Sequence, residues 1–482
     1  MAPVTIPERL PVVIQGGMGV AVSDWRLARA VSLNGGLGVV SGTALDATVA
    51  RRLESGDLDG DMRRALAAFP VPAMAERVLN RYYIEGGKAA DTPFTPVPKL
   101  GIKPTPAQSE LAVVANFVEV WLAKEGHSGL VGINLLEKVQ MATPAAAYGA
   151  LLAGVDFVLM GAGIPAEIPQ LLNHLSEHER CALGIDVDLA TEKYFLEFDP
   201  KAVTGAELPP TKRPMFLAIV SGHVLAAFLN KDPLTRPDGF VVEGPTAGGH
   251  NTPPRGALQL DETGQPVYGA RDLVDTVKMA AIGLPFWLAG GSSTPTQVAA
   301  AREAGAVGVQ VGTLFALSSD SGVRADLKAK MLERLREGRL EVRTDPLASP
   351  TGFPFKVVTM EGTVSEEDTY EDRPRLCDLG YLRVPYEKKP GTVGYRCPAE
   401  PEDAWLKKGG DEAAVKGRKC LCNGLMATVA LGQTRPDGFA EQPLLTLGSD
   451  LVGANELIAR YPGGWSAPEA LEYLLRDTPQ NS

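Results

Sequence analysis

Eight short runs of apolar residues, each ending in glycine or a small polar side chain, constrain this 482-residue chain most. They span 11–15, 36–40, 130–135, 155–160, 215–220, 239–242, 285–289 and 306–311. The runs are apolar throughout rather than alternating, as parallel strands buried on both faces are. Between them lie stretches with helical spacing, at 23–33, 109–124, 143–152 and 294–304. Ser23 and Asp24 are cap residues for the first; Pro295 opens the last and Gly305 stops it. Strand–helix alternation eight times over predicts an α/β fold, a (β/α)8 TIM barrel. A doubly wound sheet is the alternative.

Three stretches exceed a minimal barrel. Residues 44–108 form an insertion that is helical at first and then proline-rich. Residues 181–210 read as a strand pair. Residues 350–440 hold four of the five cysteines. The expected division is a barrel over 1–345 with insertions at 44–108 and 181–210, a cysteine-containing cap over 346–440, and a C-terminal helical segment over 441–482 packing on the barrel.

The net charge is −11, so the basic footprint of a nucleic-acid binder is missing and anionic membranes are disfavoured. No apolar run reaches the ~18 residues of a membrane span. The first ten residues lack the basic and apolar regions of a secretory signal. Five cysteines without such a signal suit a reducing compartment, so a cytoplasmic location is expected.

Catalytic groups of a barrel stand at the C-terminal ends of its strands. Here those ends carry glycines, hydroxyls and amides: Gln15-Gly16-Gly17-Met18, Asn134, Gly248-Gly249-His250, Gly290-Gly291 and Gln310-Val311-Gly312-Thr313. Glycine makes up 52 of 482 residues, and much of that excess serves these turns. Glycine turns after the seventh and eighth strands leave backbone N–H groups free to cradle a phosphate. His250 and His223 are the histidines at this end, and His250 in its glycine-rich setting is the stronger acid/base or hydrogen-bonding candidate. Gly161-Ala162-Gly163-Ile164-Pro165-Ala166 fits a dinucleotide fingerprint in letters, but it follows the fourth strand rather than opening a domain.

Pro11-Val12-Val13-Ile14-Gln15-Gly16-Gly17-Met18, Ala247-Gly248-Gly249-His250, Ala289-Gly290-Gly291 and Gln310-Val311-Gly312-Thr313 together resemble the nitronate monooxygenase (2-nitropropane dioxygenase) family. Its relatives include flavin-dependent enoyl-acyl-carrier-protein reductases and NADH:quinone reductases. Ser349-Pro350-Thr351-Gly352-Phe353-Pro354 is also similar to a family segment beyond the barrel. The resemblance implies a TIM barrel with one FMN. By position, Gln15, Gly16, Gly17 and Met18 line the flavin ring and Asn134 touches it. Gly290, Gly291, Gly312 and Thr313 hold the phosphate. His250, after Gly248 and Gly249, sits by the flavin and the substrate. Thr246 stands where the family usually has Glu or Gln, which bears on substrate rather than flavin. Met18, Val40 and Phe315 are candidates for the apolar wall, and Gln15, Asn134 and Gln310 for polar contacts to the ring edge. The implied reaction oxidises an alkyl nitronate with O2 to a carbonyl compound and nitrite. The alternative is a flavin reductase taking hydride from NAD(P)H to an enoyl thioester or quinone. A small-molecule substrate is expected, and homo-oligomers are allowed.

Cys377, Cys397, Cys420 and Cys422 fall within 46 residues, with successive gaps of 20, 23 and 2. Four thiolates suit zinc or an iron–sulfur cluster, although the spacing matches no standard C-x2-C pair. Reduced cysteines in an elaborated cap are the other reading.

Overall fold

The computed structural model describes Val4 and residues 6–477. Eight parallel strands form its centre: β1 (Val13–Gln15), β2 (Gly38–Ser41), β3 (Val131–Leu136), β4 (Phe157–Gly161), β5 (Met215–Val220), β6 (Gly239–Glu243), β7 (Phe286–Ala289) and β8 (Gly308–Val311). They pair in chain order from β2 to β8, and β8 pairs with β1. A parallel bridge between Ile14 and Leu37 links β1 to the residue before β2 and closes the ring. The eight expected strands are therefore present, and the doubly wound alternative falls away.

Closure sorts side chains by parity. Ile14, Val39, Phe157, Leu159, Met215, Leu217, Val241 and Trp287 form a separate cluster inside the ring. The larger cluster lies between the strands and the surrounding helices. Inside, the Trp287 indole N–H donates to the Pro11 carbonyl at 2.7 Å. Gly308 allows close strand approach, because a Cβ there would meet the Val12 carbonyl oxygen at 1.8 Å.

The helices follow local signals. Trp25–Leu33 is capped by Asp24, whose side chain accepts from the N–H groups of Arg26 and Leu27. The helix expected at 109–124 starts earlier, at Pro106, because Thr105 and Gln108 form a capping box ahead of it. Pro295–Glu303 has the same device in Thr294 and Gln297. After the cap, Val452–Arg460 packs on Ala325–Arg336, and Ala467–Leu475 packs on Trp25–Leu33 and Pro295–Glu303. The ring of helices is thus completed by the last described part of the chain.

The three elaborations interlock over the barrel mouth. Residues 44–108 contain helices Leu45–Glu54, Asp61–Ala67 and Pro72–Tyr82 before the proline-rich stretch. Tyr381 of the cap donates to buried Asp46, Arg51 donates to the Leu431 carbonyl at 2.6 Å, and Phe94 exchanges two hydrogen bonds with the Gln433 amide. The strand pair at 181–210 is an antiparallel hairpin, Cys181–Ile185 with Tyr194–Phe198. Thr191 and Tyr194 both donate to Glu387 in the cap hairpin Val384–Lys389 and Thr392–Arg396. Residues 44–108 and the hairpin therefore brace the cap from two sides.

Tyr381→Phe should expose this dependence. It removes the donor to a fully buried Asp46 carboxyl, a loss of about 1–3 kcal/mol. The expected outcome is a lower melting temperature and faster protease cleavage within 373–433, with the barrel fragment resistant. Unchanged cleavage would show that the cap does not depend on this brace.

Candidate active site

A cavity of about 250 Å³ lies at the C-terminal ends of the strands, under the cap. Gly16, Gly17, Met18, Asn134, Gly248 and Gly249 line it, as do His250, Gly290, Gly291, Gln310, Gly312 and Thr313. The chain thus brings together twelve of the residues singled out from the sequence.

Gln15 is not among them, which corrects its expected role. Ile14 faces the barrel interior, so the next side chain faces outward. The Gln15 amide is spent on the scaffold: its oxygen accepts from Val39 N–H at 2.9 Å, and its nitrogen donates to Ser23 Oγ at 2.8 Å and to the Gly16 carbonyl. Val40 and Phe315 are buried in the outer core rather than in the cavity wall. Met18, Leu135, Val139 and Ile219 supply apolar wall instead.

Two amides face the cavity with unmet capacity. Asn134 donates through Nδ2 to the Gly17 carbonyl at 3.2 Å, while its Oδ1 has no partner. Gln310 Oε1 is likewise buried and unpartnered. A buried acceptor left unmet costs free energy, so a ligand with donors along one edge fits here. Gly17 makes room for this arrangement, since a Cβ there would sit 2.3 Å from Asn134 Cβ.

The other end of the cavity is built from backbone. Gly290 and Gly291 have φ of +78° and +72°, and a Cβ on Gly290 would lie 2.8 Å from Ala247 N. Thr313 Oγ1 accepts from Gly448 N–H at 2.9 Å. Ser293 donates to Asp450 and accepts from Gly453 N–H. No lysine or arginine lines the cavity among the described residues. An anion here would rely on backbone N–H groups and hydroxyls. An amide acceptor for the single ring N–H, an apolar wall and a glycine-built anion turn together fit FMN.

His250 is held in place. Its Nε2 lies 2.7 Å from Ser349 Oγ, and its ring stands edge-on to Phe355 at 4.9 Å. Burial, with the positive charge of Lys138 adding to it, pushes His250 down to about 3, so the ring is neutral near pH 7. Lys138 sits 3.2 Å over the Phe353 ring, and burial lowers it to about 8. The Ser349–Pro354 segment noticed in the sequence therefore returns to the barrel mouth to hold these two groups. Ser349 itself was not singled out as a site residue, and nothing local marks a contact made across 99 residues.

Other expectations resolve differently. His223 opens the helix His223–Asn230 and does not line the cavity. The fingerprint-like run places Gly163 against Glu137, and the next helix starts only at Ile168, so no helix N-terminus faces a ligand there. A metal at Cys377, Cys397, Cys420 and Cys422 is not shown. Among the described residues no group of three or more His, Cys, Asp or Glu side chains gathers to hold a metal. Burial instead favours the protonated thiols, pushing Cys420 up to about 12 and Cys422 to about 11. Cys422 joins the cavity wall with Leu421 and Leu425. Glu243, at the end of β6, also lines the cavity and was missed as a site residue.

Residues 218–345 match the model of the nitronate monooxygenase family. That stretch contains the Ala247–His250, Ala289–Gly291 and Gln310–Thr313 motifs but not 11–18. No curated protein matches the sequence. Among solved structures, FabK from Thermotoga maritima is similar, with a TM-score of 0.48, 16% identity, and coverage of 97% of this chain and 93% of that one. A nitroalkane oxidase from Streptomyces ansochromogenes gives 0.43 and 15%, covering 97% and 95%. The enoyl reductase domain of MlnA from Bacillus amyloliquefaciens gives 0.40 and 13%, covering 73% and 64%.

The His250 environment sets a pH dependence. Its folded value, about 3, lies below its ordinary 6.5. Between these values the unfolded chain binds the extra proton, so this group's contribution to stability falls as pH drops through the window. The melting temperature should fall from pH ~6.5 toward ~4, and fall less in His250→Gln. The His250 ring resonance should stay flat between pH ~8 and ~5; titration near 6.5 would contradict the assigned environment.

Proposed function

We infer that this chain is an FMN-dependent oxidoreductase of the nitronate monooxygenase family, and that it oxidises an alkyl nitronate with O2 to a carbonyl compound and nitrite. The observation that carries this reading is the joint cavity of unmet amide oxygens, glycine turns and a neutral His250. Asn134 and Gln310 would receive the ring edge, Met18 would pack on the ring, and Gly290, Gly291, Gly312 and Thr313 would hold the phosphate. FMN supplies the electron-transfer chemistry when bound.

The protein's own part is positioning. A nitronate arrives already deprotonated, so it needs no strong base. A histidine kept neutral suits that task, because its ring nitrogen not engaged by Ser349 can hydrogen-bond an anionic nitro group without first taking up a proton. Leu382, Leu421 and Leu425 from the cap close the apolar side and exclude water.

The purified protein should carry the visible flavin band and release nitrite from an alkyl nitronate in air. Anaerobic NADPH should leave that band unbleached on the turnover timescale. Rapid bleaching would instead favour the enoyl thioester or quinone reductase reading, and a colourless protein that takes up no FMN would remove both. His250→Ala should retain flavin while turnover drops about 10²-fold. Unchanged turnover would take His250 out of the reaction.

A further inference from the structure

Glu243 is the acidic side chain at the top of β6, facing inward two residues beyond Val241 of the barrel interior. Its carboxyl makes no hydrogen bond or ion pair with any described residue. It borders two cavities: the large one under the cap, and a side cavity of about 20 Å³, room for a single water. Asn251 lines the side cavity, is 4% exposed, donates through Nδ2 to the Ala247 carbonyl, and leaves Oδ1 buried without a partner. Farther out, Arg255 donates to the Ser221 carbonyl at 3.2 Å, and Thr252 and Arg255 are exposed. Polar groups therefore run from solvent to the Glu243 carboxyl, with an unmet acceptor where a bridging water would bond.

We propose that Glu243 transfers protons between the large cavity and solvent, through a water held in the side cavity by Asn251. The inference rests on the FMN reading only for the identity of the proton acceptor. In the step, the carboxyl O–H bond breaks, the proton passes to a basic nitrogen or oxygen of the flavin or substrate bound in the large cavity, and the electron pair stays on the carboxylate. The carboxylate is reprotonated from the side-cavity water, which is recharged from solvent. No other co-reactant is required.

The surroundings suit the role. Burial alone raises Glu243 to about 7. Ile219 of β5 shares the large cavity with it, and β7 pairs with it at Ala289. The titratable and charged groups sharing the side cavity are Arg255, Tyr268 and Asp272. Those sharing the large cavity are His250, Tyr381, Cys422 and Asp450. Of these, His250 is too weak a base to carry protons near neutral pH, and burial holds the Cys422 thiol protonated. Among the described residues Glu243 is the titratable group that lines both cavities, which places it to exchange protons at both faces.

The test is an infrared pH titration of the intact protein, with and without added FMN, comparing wild type, Glu243→Gln and Ser221→Leu. A protonated-carboxyl band that titrates near pH 7 and vanishes in Glu243→Gln is expected. A midpoint near an ordinary ~4.3 overturns the proposal. In stopped-flow with FMN bound and an alkyl nitronate as the substrate, the phase that carries a solvent isotope effect should slow about tenfold in Glu243→Gln and lose its pH dependence and that isotope effect. Ser221→Leu, which crowds the side cavity and leaves the carboxyl in place, should slow the same phase and keep the infrared band. Wild-type rates in both variants overturn the proposal. If FMN does not bind, the preceding reading fails, and the infrared titration still decides the carboxyl.

Discussion

The alternation of side chains around a closed ring of parallel strands is the constraint on which the site depends. Once Ile14 and Leu37 join the ends of the sheet, every strand residue faces either the interior or the helices. The inward positions near the C-terminal edge then become the floor of the cavity: Asn134, Gly161, Ile219, Glu243, Ala289 and Gln310. Polar groups on that floor cannot turn away without breaking strand register. Their unmet acceptors are held in place by the whole barrel rather than by local loops.

The same parity explains which parts of the site could be read from the sequence. The eight apolar runs stood out because strands buried on both faces need continuous apolar residues, and the glycines after them stood out because those turns have little room for Cβ atoms. Gln15 was misplaced because Val12, Val13 and Ile14 are all apolar, so the sequence does not say which of them faces inward; the structure places Ile14 inward and Gln15 therefore outward. The helix start at Pro106 was also legible in the Thr105–Gln108 spacing but was passed over. Four cysteines in 46 residues suggested a shared metal; the fold does bring them near one another, but among the described residues no group of three or more gathers to hold an ion. Contacts made across hundreds of residues left no local mark. Asp46 with Tyr381 spans 335 positions, and Phe94 with Gln433 spans 339.

Those distant contacts give the elaborations a common purpose. Residues 44–108, the hairpin at 181–198 and the cap support one another, and the cap then contributes Leu382, Leu421, Cys422 and Leu425 to the cavity. The chain also passes beneath the cap through Thr446, Gly448 and Asp450 before Ala467–Leu475 returns to the barrel wall. The glycine-built end of the cavity, the cap and the outer helix ring are therefore linked through one continuous stretch. Loosening the cap should disturb the glycine-built end of the cavity as well as its apolar side.

Desolvation gives the cavity its electrostatic character. It lowers the basicity of His250 and raises the acid form of Glu243, so burial drives both groups toward neutrality. The two are not equivalent at neutral pH. His250 lies far from its midpoint and acts as a fixed hydrogen-bonding group, oriented by Ser349. Glu243 lies near its midpoint and can change state. No lysine or arginine lines the cavity among the described residues, so an anion bound here would meet hydrogen-bond donors instead of a side-chain cation. The floor residue and the wall residue thus behave differently at neutral pH, and a single physical cause, burial at the barrel mouth, produces both.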